Sequence, residues 1–305
     1  MKNPLSQHPA RRPWFTLALG AVVLGACHAS SPSTSGIGAD RRLPFALAAE
    51  SWRTDPVWHD GQAEIATYRA TQSIYGQVRE YTARAYTNVQ RQARDTTTKS
   101  GGDGGVEVFK HHWSERIPTE RYDYDFSTAT FLDRGDLAPF KFTFASQEDC
   151  GASFKQWQPA GGGWQAYAST YFPGGGERRG EYEGGVPLSV DMLSAALRAY
   201  PFDAPPSEPL QLTLVPSQRS TRATELNAAT YELRYLGSAT LDLPIGPLDV
   251  HEIELENLDD AADVHRFAFT ADGNAPWLHV MAAYFGPGER TYLLESLERD
   301  AYWER

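Results

Sequence analysis

The chain has 305 residues, 28 Lys+Arg against 39 Asp+Glu for a formal charge of −11, and 12% aromatic residues. That length can bury a substantial core, and the aromatic content separates the chain from disordered sequences, which cannot offset their ordering entropy. The acidic balance argues against a nucleic-acid partner, which needs a Lys/Arg surplus, and a hydrophobic fraction of 41% excludes a protein of many apolar spans.

The N-terminus carries Lys2, Arg11 and Arg12 and no acid before the apolar run from Trp14 to Ala26. Thirteen apolar-run residues are too few to cross a bilayer, which takes about 20. A basic start, an apolar centre and small residues before a cut have the anatomy of a secretory signal. Leu24-Gly25-Ala26-Cys27 resembles the bacterial lipobox, whose cysteine is acylated and becomes the first residue of the mature chain. Cys27 is therefore the expected lipidation site, residues 1–26 the signal peptide, and the membrane the first expected partner. Acyl chains add about 0.8 kcal/mol per buried methylene, so two or three give a stable anchor. Cleavage takes three cations away and leaves 25 against 39 acids, or −14. Such a body is expected to stand off anionic lipid. His28 in place of Asp favours the periplasmic face of the outer membrane over inner-membrane retention, as the resemblance to lipoproteins implies.

Residues 28–40 are rich in Ser, Gly, Pro and Thr and read as flexible linker. The expected organisation is a tether over 27–55 and a β-rich body over 56–305, with possible halves 56–187 and 205–305. Period-two alternation predicts strands at Tyr122–Phe126, Phe140–Phe144 and Leu210–Leu214. Further strands are predicted at Ala63–Ile74, Val78–Val89, Val106–Trp113, Trp164–Phe172, Thr230–Leu236, Leu248–Leu255, Val264–Thr270, Trp277–Tyr284 and Arg290–Leu297. Glycine clusters at 101–102, 161–163, 174–176 and 184–185 separate several of them, with tight turns expected at Tyr75-Gly76 and Asp272-Gly273-Asn274. One helix is predicted near 189–200, capped by Ser189 and ended by Pro201. The fold class is mainly β: a large curved antiparallel sheet, or a two-layer sandwich or open barrel, with one short helix. A sandwich without a pocket is slightly favoured over a barrel with an apolar cavity.

Several residues have both a chemical and a plain reading. Cys150 is the one cysteine besides Cys27, and with a His partner it could act as a nucleophile. Glu148 and Asp149 beside it oppose the thiolate, so a small buried residue at a strand end is the expectation. His111 and His112 are neighbours on a strand and point to opposite faces. His251, His265 and His279 lie on successive predicted strands and could converge, but no metal site is expected. Asp123/Asp125 and Glu252/Glu254 share a strand face each, about 7 Å apart, the separation of a glycosidase pair, and more simply form solvated faces. P-loop, dinucleotide and G-x-S-x-G patterns are absent from the sequence. No catalytic residue and no cofactor is expected.

Trp58-His59-Asp60-Gly61-Gln62-Ala63-Glu64-Ile65, Tyr68, Tyr75-Gly76-Gln77-Val78-Arg79-Glu80 and Ser146-Gln147-Glu148-Asp149-Cys150-Gly151 together resemble an uncharacterised family of bacterial lipoproteins sometimes labelled septum formation inhibitors. Gly246-Pro247-Leu248-Asp249-Val250 and Phe267-Ala268-Phe269 are similar to segments of curved-sheet envelope proteins of unknown function. The resemblance implies a β-rich envelope lipoprotein, related in shape to carriers of acyl chains, and no set of catalytic residues. The expected function is non-enzymatic: binding an apolar ligand or another envelope protein. The alternative is a periplasmic hydrolase using Cys150 or the paired carboxylates.

Overall fold

A computed structural model describes residues 39–46, 50–102, 104–271 and 279–304. Fourteen strands form one antiparallel sheet in the order β8-β7-β6-β5-β4-β3-β2-β1-β14-β13-β12-β11-β10-β9. The first meander is β1 (Ala63–Ile74), β2 (Gln77–Gln92), β3 (Val106–Pro118), β4 (Asp123–Asp133), β5 (Pro139–Glu148), β6 (Gly151–Ala160), β7 (Gly163–Thr170) and β8 (Gly176–Tyr182). The second is β9 (Leu210–Leu214), β10 (Ala229–Leu243), β11 (Gly246–Asn257), β12 (Val264–Thr270), β13 (Met281–Gly286) and β14 (Arg290–Asp300). β1 pairs with β14 from Ala63↔Asp300 to Thr71↔Thr291, which joins the meanders into one sheet. The single curved sheet is the architecture found. The favoured two-sheet sandwich is not, because every strand finds its partner in the same ladder.

Strands appear where alternation is clean. β1, β9 and β12 have the predicted limits. Tyr75 and Gly76 close β1 to β2 with φ of 55° and 73°, the two positive angles that a twisted hairpin turn demands. The 272–274 turn and the start of the strand expected at Trp277 lie outside the described residues. Two strands escape the period-two reading. β6 turns Ser153, Lys155 and Trp157 inward, so its buried face is not apolar. β8 (GERRGEY) is almost wholly exposed; it is an edge strand, and charged side chains blunt such an edge against further pairing. At the start of β5 a bulge shifts the register between Phe131 and Leu132. Phe140 consequently packs with Val106, Val108, Ala129 and Phe131 in a small outer cluster, apart from Phe142 and Phe144.

The concave face is filled by the chain itself. Residues from ahead of β1, among them Leu43, Phe45, Trp52 and Trp58, are buried in the main core. Trp52 and Trp58 belong to a short helix α1 (Glu50–Thr54) and a 3-10 turn (Pro56–His59). The predicted helix is present as one irregular run: a 3-10 turn Val190–Met192, α2 (Leu193–Ala196) and a second 3-10 turn Leu197–Ala199. Nearly all of its side chains are buried. Ser189 stands at its start but does not cap it. Its backbone bridges to Val215, and its hydroxyl has no partner. Asp40 and Leu188 bond to the backbone of Thr213 and Val215, which covers the open edge of β9. After β9, residues 215–228 cross the concave face as a strap. Lys155 Nζ donates to the Gln218 carbonyl at 2.8 Å, and Ser153 to the Thr221 carbonyl at 2.5 Å. This is why β6 carries polar residues on its buried side.

Candidate functional site

Alternation places Phe109, His111, Trp113, Glu115 and Ile117 of β3 on the concave face, all buried. Glu115 is the acid in this apolar row. Its carboxylate accepts from Arg219 of the strap through Nε at 2.7 Å and Nη2 at 2.8 Å, from Tyr292 at 2.7 Å and from Tyr81 at 3.0 Å. Burial alone would raise its pKa, but the Arg219 guanidinium and the Tyr292 hydroxyl outweigh burial and hold it below the ordinary carboxylate range. A second buried pair joins Glu64 of β1 to Arg198 at 2.8 and 2.9 Å. Arg198 lies over the rings of Trp52 and Trp58. Both pairs are bidentate, and both attach the inner segment to the sheet.

Beside Glu115 lies a cavity of about 60 Å³ between α2, the strap and the sheet. Trp113, Val190, Phe267 and Met281 give it apolar walls, and Thr128, Asp191, Ser194, Arg219, Tyr284 and Arg290 its polar atoms. A hydrogen-bonded chain leads away from it. Arg290 Nη2 donates to the Tyr284 hydroxyl at 2.8 Å, Tyr284 meets His265 Nδ1 at 2.8 Å, and His265 Nε2 meets Asp263 at 2.8 Å. The carboxylate accepts the hydrogen bond of the Nε2 proton. Burial works against the Asp263 carboxylate, but donors from His265, Tyr231 and Asn257 prevail and hold its pKa at about 2. Tyr284 is pushed up by burial, against the pull of Arg290.

Ser194 of α2 faces the cavity beside a histidine. Ser194 Oγ lies 3.1 Å from His111 Nε2, and His111 Nδ1 lies 2.8 Å from Thr87 Oγ1. This has the outline of a serine–histidine pair, but its electrostatics run the wrong way. Burial, with Arg198 adding, pushes the His111 pKa down to about 3, and a hydroxyl stands where a carboxylate would stabilise the imidazolium. A ring so reluctant to take a proton cannot serve as a general base near neutrality. The arrangement satisfies a buried histidine.

The other sequence candidates separate. Cys150 is exposed at the β5–β6 turn, which corrects the expectation of a buried thiol: two residues of turn between short strand ends leave the side chain outside. Its neighbour is Tyr122. Tyr75, Tyr122 and Tyr124 cluster there, and the Tyr171 ring lies so close over Gly151 that any Cβ would collide with it. The turn tips thus carry an aromatic ridge, with Tyr75 73% and Tyr171 75% exposed. His251 and His279 meet around Phe202, with ring centroids 6.5 Å apart, while His265 is held separately by Asp263 and Tyr284. Among the described residues no group of three or more His, Cys, Asp or Glu is placed to hold a metal. Asp123 and Asp125 pair with Arg116 on the surface, and Glu254 with Arg234 and Arg266. Asp125, with Arg116, also lines an open groove of about 600 Å³. Cys27 lies outside the described residues.

Glu115, Arg219, Arg290 and Thr128 were not anticipated from sequence. Glu115 left a signal, an acid in phase with Phe109, Trp113 and Ile117. The arginines left none, because the strap and the start of β14 reach the site only through the fold. No protein-family model, curated protein or solved structure matches the chain.

Proposed function

We propose that this chain is a lipid-anchored protein of the bacterial cell envelope, facing the periplasm, that acts by binding another envelope protein. The observation that carries this reading is the filled concave face. Its own helix, strap and N-terminal segment occupy the space an acyl chain would need. The cavity inside it, of about 60 Å³, amounts to about four to six water-sized positions at about 10–15 Å³ each, while wider grooves of about 420, 600 and 520 Å³ lie open to solvent elsewhere. Pockets for larger ligands run to about 300–1,000 Å³. Binding therefore falls to the outside, where the ridge of Tyr75, Tyr122, Tyr171 and Phe172 offers side chains of the kind enriched at interfaces. The uncharged His111 and the surface-paired carboxylates support a non-enzymatic role. The anchor rests on Leu24-Gly25-Ala26-Cys27.

Native mass spectrometry of protein purified from membranes tests both parts. The expected species carries acyl chains on Cys27 and no second, non-covalent lipid. A lipid bound one-to-one would restore the acyl-carrier reading. Cys27→Ser should move the protein out of the membrane fraction or leave it unprocessed. Sedimentation of processed mutant with membranes would show that the body itself holds lipid.

A further inference from the structure

The cavity contains two polar groups that the chain leaves unsatisfied. Thr128 is 4% exposed, and its hydroxyl has no hydrogen-bond partner. Arg290 Nε is shut off from solvent and is likewise without a partner. Both residues line the same cavity. Orphaned buried donors are rare, and each calls for an explanation.

The carboxylates along the walls are already engaged. Glu115 takes its four donors. Asp191 accepts from Ser217 Oγ and from the Gln218 N–H, both at 2.6 Å. Among the described residues Arg290 donates to the Tyr284 hydroxyl and packs on its ring. Its charge also helps to hold the Glu115 carboxylate ionised, but that carboxylate is bonded by Arg219, and none bonds the Arg290 fork. A half-buried guanidinium with no carboxylate on its fork leaves donors unmet, and a planar carboxylate is the group that matches that fork.

We propose that this cavity is a binding site for a small aliphatic carboxylate. Arg290 supplies the charge and Thr128 a second donor, while the alkyl end lies against Trp113, Phe267 and Met281. The volume sets the size: about four to six water-sized positions suit acetate, propionate or butyrate. The proposal goes beyond the partner-binding reading and holds whether or not Cys27 carries lipid.

Titration calorimetry of the full chain in detergent, in chloride buffer, tests it with acetate, propionate and butyrate, and with propionamide as the uncharged control. Saturable one-to-one binding of at least one acid is expected, with propionamide at least about tenfold weaker, the margin of one charged partner. Arg290→Met should abolish binding, and Arg290→Lys should weaken it about tenfold by losing the fork. Thr128→Val keeps the shape and removes only an unpartnered hydroxyl. It should weaken binding several-fold without lowering the melting temperature, and so it carries the test if the Arg290 variants fail to fold. No saturable binding of any of the three acids would overturn the proposal. So would propionamide binding as tightly as the acid, or Thr128→Val binding as the parent does.

Discussion

The two buried Arg–Glu pairs hold the same inner segment against the same sheet, yet their surroundings differ. Around Arg198 the interior is close-packed: the guanidinium lies over two tryptophan rings, and both side chains of the pair are 3% exposed or less. Among the described residues the Trp52 indole N–H is the one ring donor there left without a partner. Around Arg219 packing stops short, a cavity opens, and two donors are left over. One bidentate ion pair therefore serves two purposes. At Glu64 it closes the core. At Glu115 it walls a chamber, and the tyrosines that share its carboxylate keep the pair satisfied beside the void. The imperfectly packed pair marks the place where something other than this chain can sit.

Removal of each arginine in turn separates the two environments. Arg198→Met leaves Glu64 as an unpaired charge in a close-packed site and should cost about 3–5 kcal/mol in denaturant unfolding. Arg219→Met should cost less by about 1 kcal/mol or more, because Glu115 keeps two tyrosine donors and a cavity that water can enter. Equal losses would mean that the two environments do not differ energetically. Acid adds a second contrast. The folded pKa of His111, about 3, lies below the ordinary 6.5 because of burial. Between these values the unfolded chain binds a proton that the folded chain refuses. Stability from this group is complete above pH 6.5 and is lost as pH falls toward 3, at up to about 1.4 kcal/mol per pH unit. His111→Gln should flatten the stability–pH curve by that slope between about pH 6 and 4; an unchanged curve would place the titration elsewhere.

Smaller effects sharpen the picture. Thr128→Val should leave unfolding free energy unchanged or raise it by up to about 1 kcal/mol, because it removes a buried hydroxyl that has no partner. A loss of 2 kcal/mol or more would show that the hydroxyl is satisfied in solution. Smallest of all is Cys150, exposed at a turn tip. Cys150→Ala should change stability by less than about 0.5 kcal/mol, and the native thiol should react with an alkylating reagent as completely as in the unfolded chain. Protection of the native thiol would put the ridge of Tyr122 and Tyr171 over it.

Sequence alone determined the strands that keep one side apolar and one side polar. β9 is bounded as its alternation predicts and β1 and β12 as their strand-forming runs predict, the Tyr75-Gly76 turn forms with Gly76 free to adopt one of its two positive φ angles, and the helical spacing of Met192, Leu193, Ala196 and Leu197 yields a buried helical run. Glu115 lies beyond the predicted end of its strand at Trp113, so its place in phase with the apolar row went unread. The tertiary structure decided the rest. β6 was hidden because its inward side chains, Ser153 and Lys155, are polar to suit the strap, and β8 because an edge strand has no buried face to give it a period. The single sheet depended on β1 meeting β14, residues more than two hundred apart in sequence, a pairing that no local pattern encodes. Cys150 was expected to be buried at a strand end, and the turn geometry put it outside. The cavity was beyond any reading of the sequence, since a void and its unpaired donors depend on how well distant side chains fill a shared space, and neither composition nor spacing carries that information.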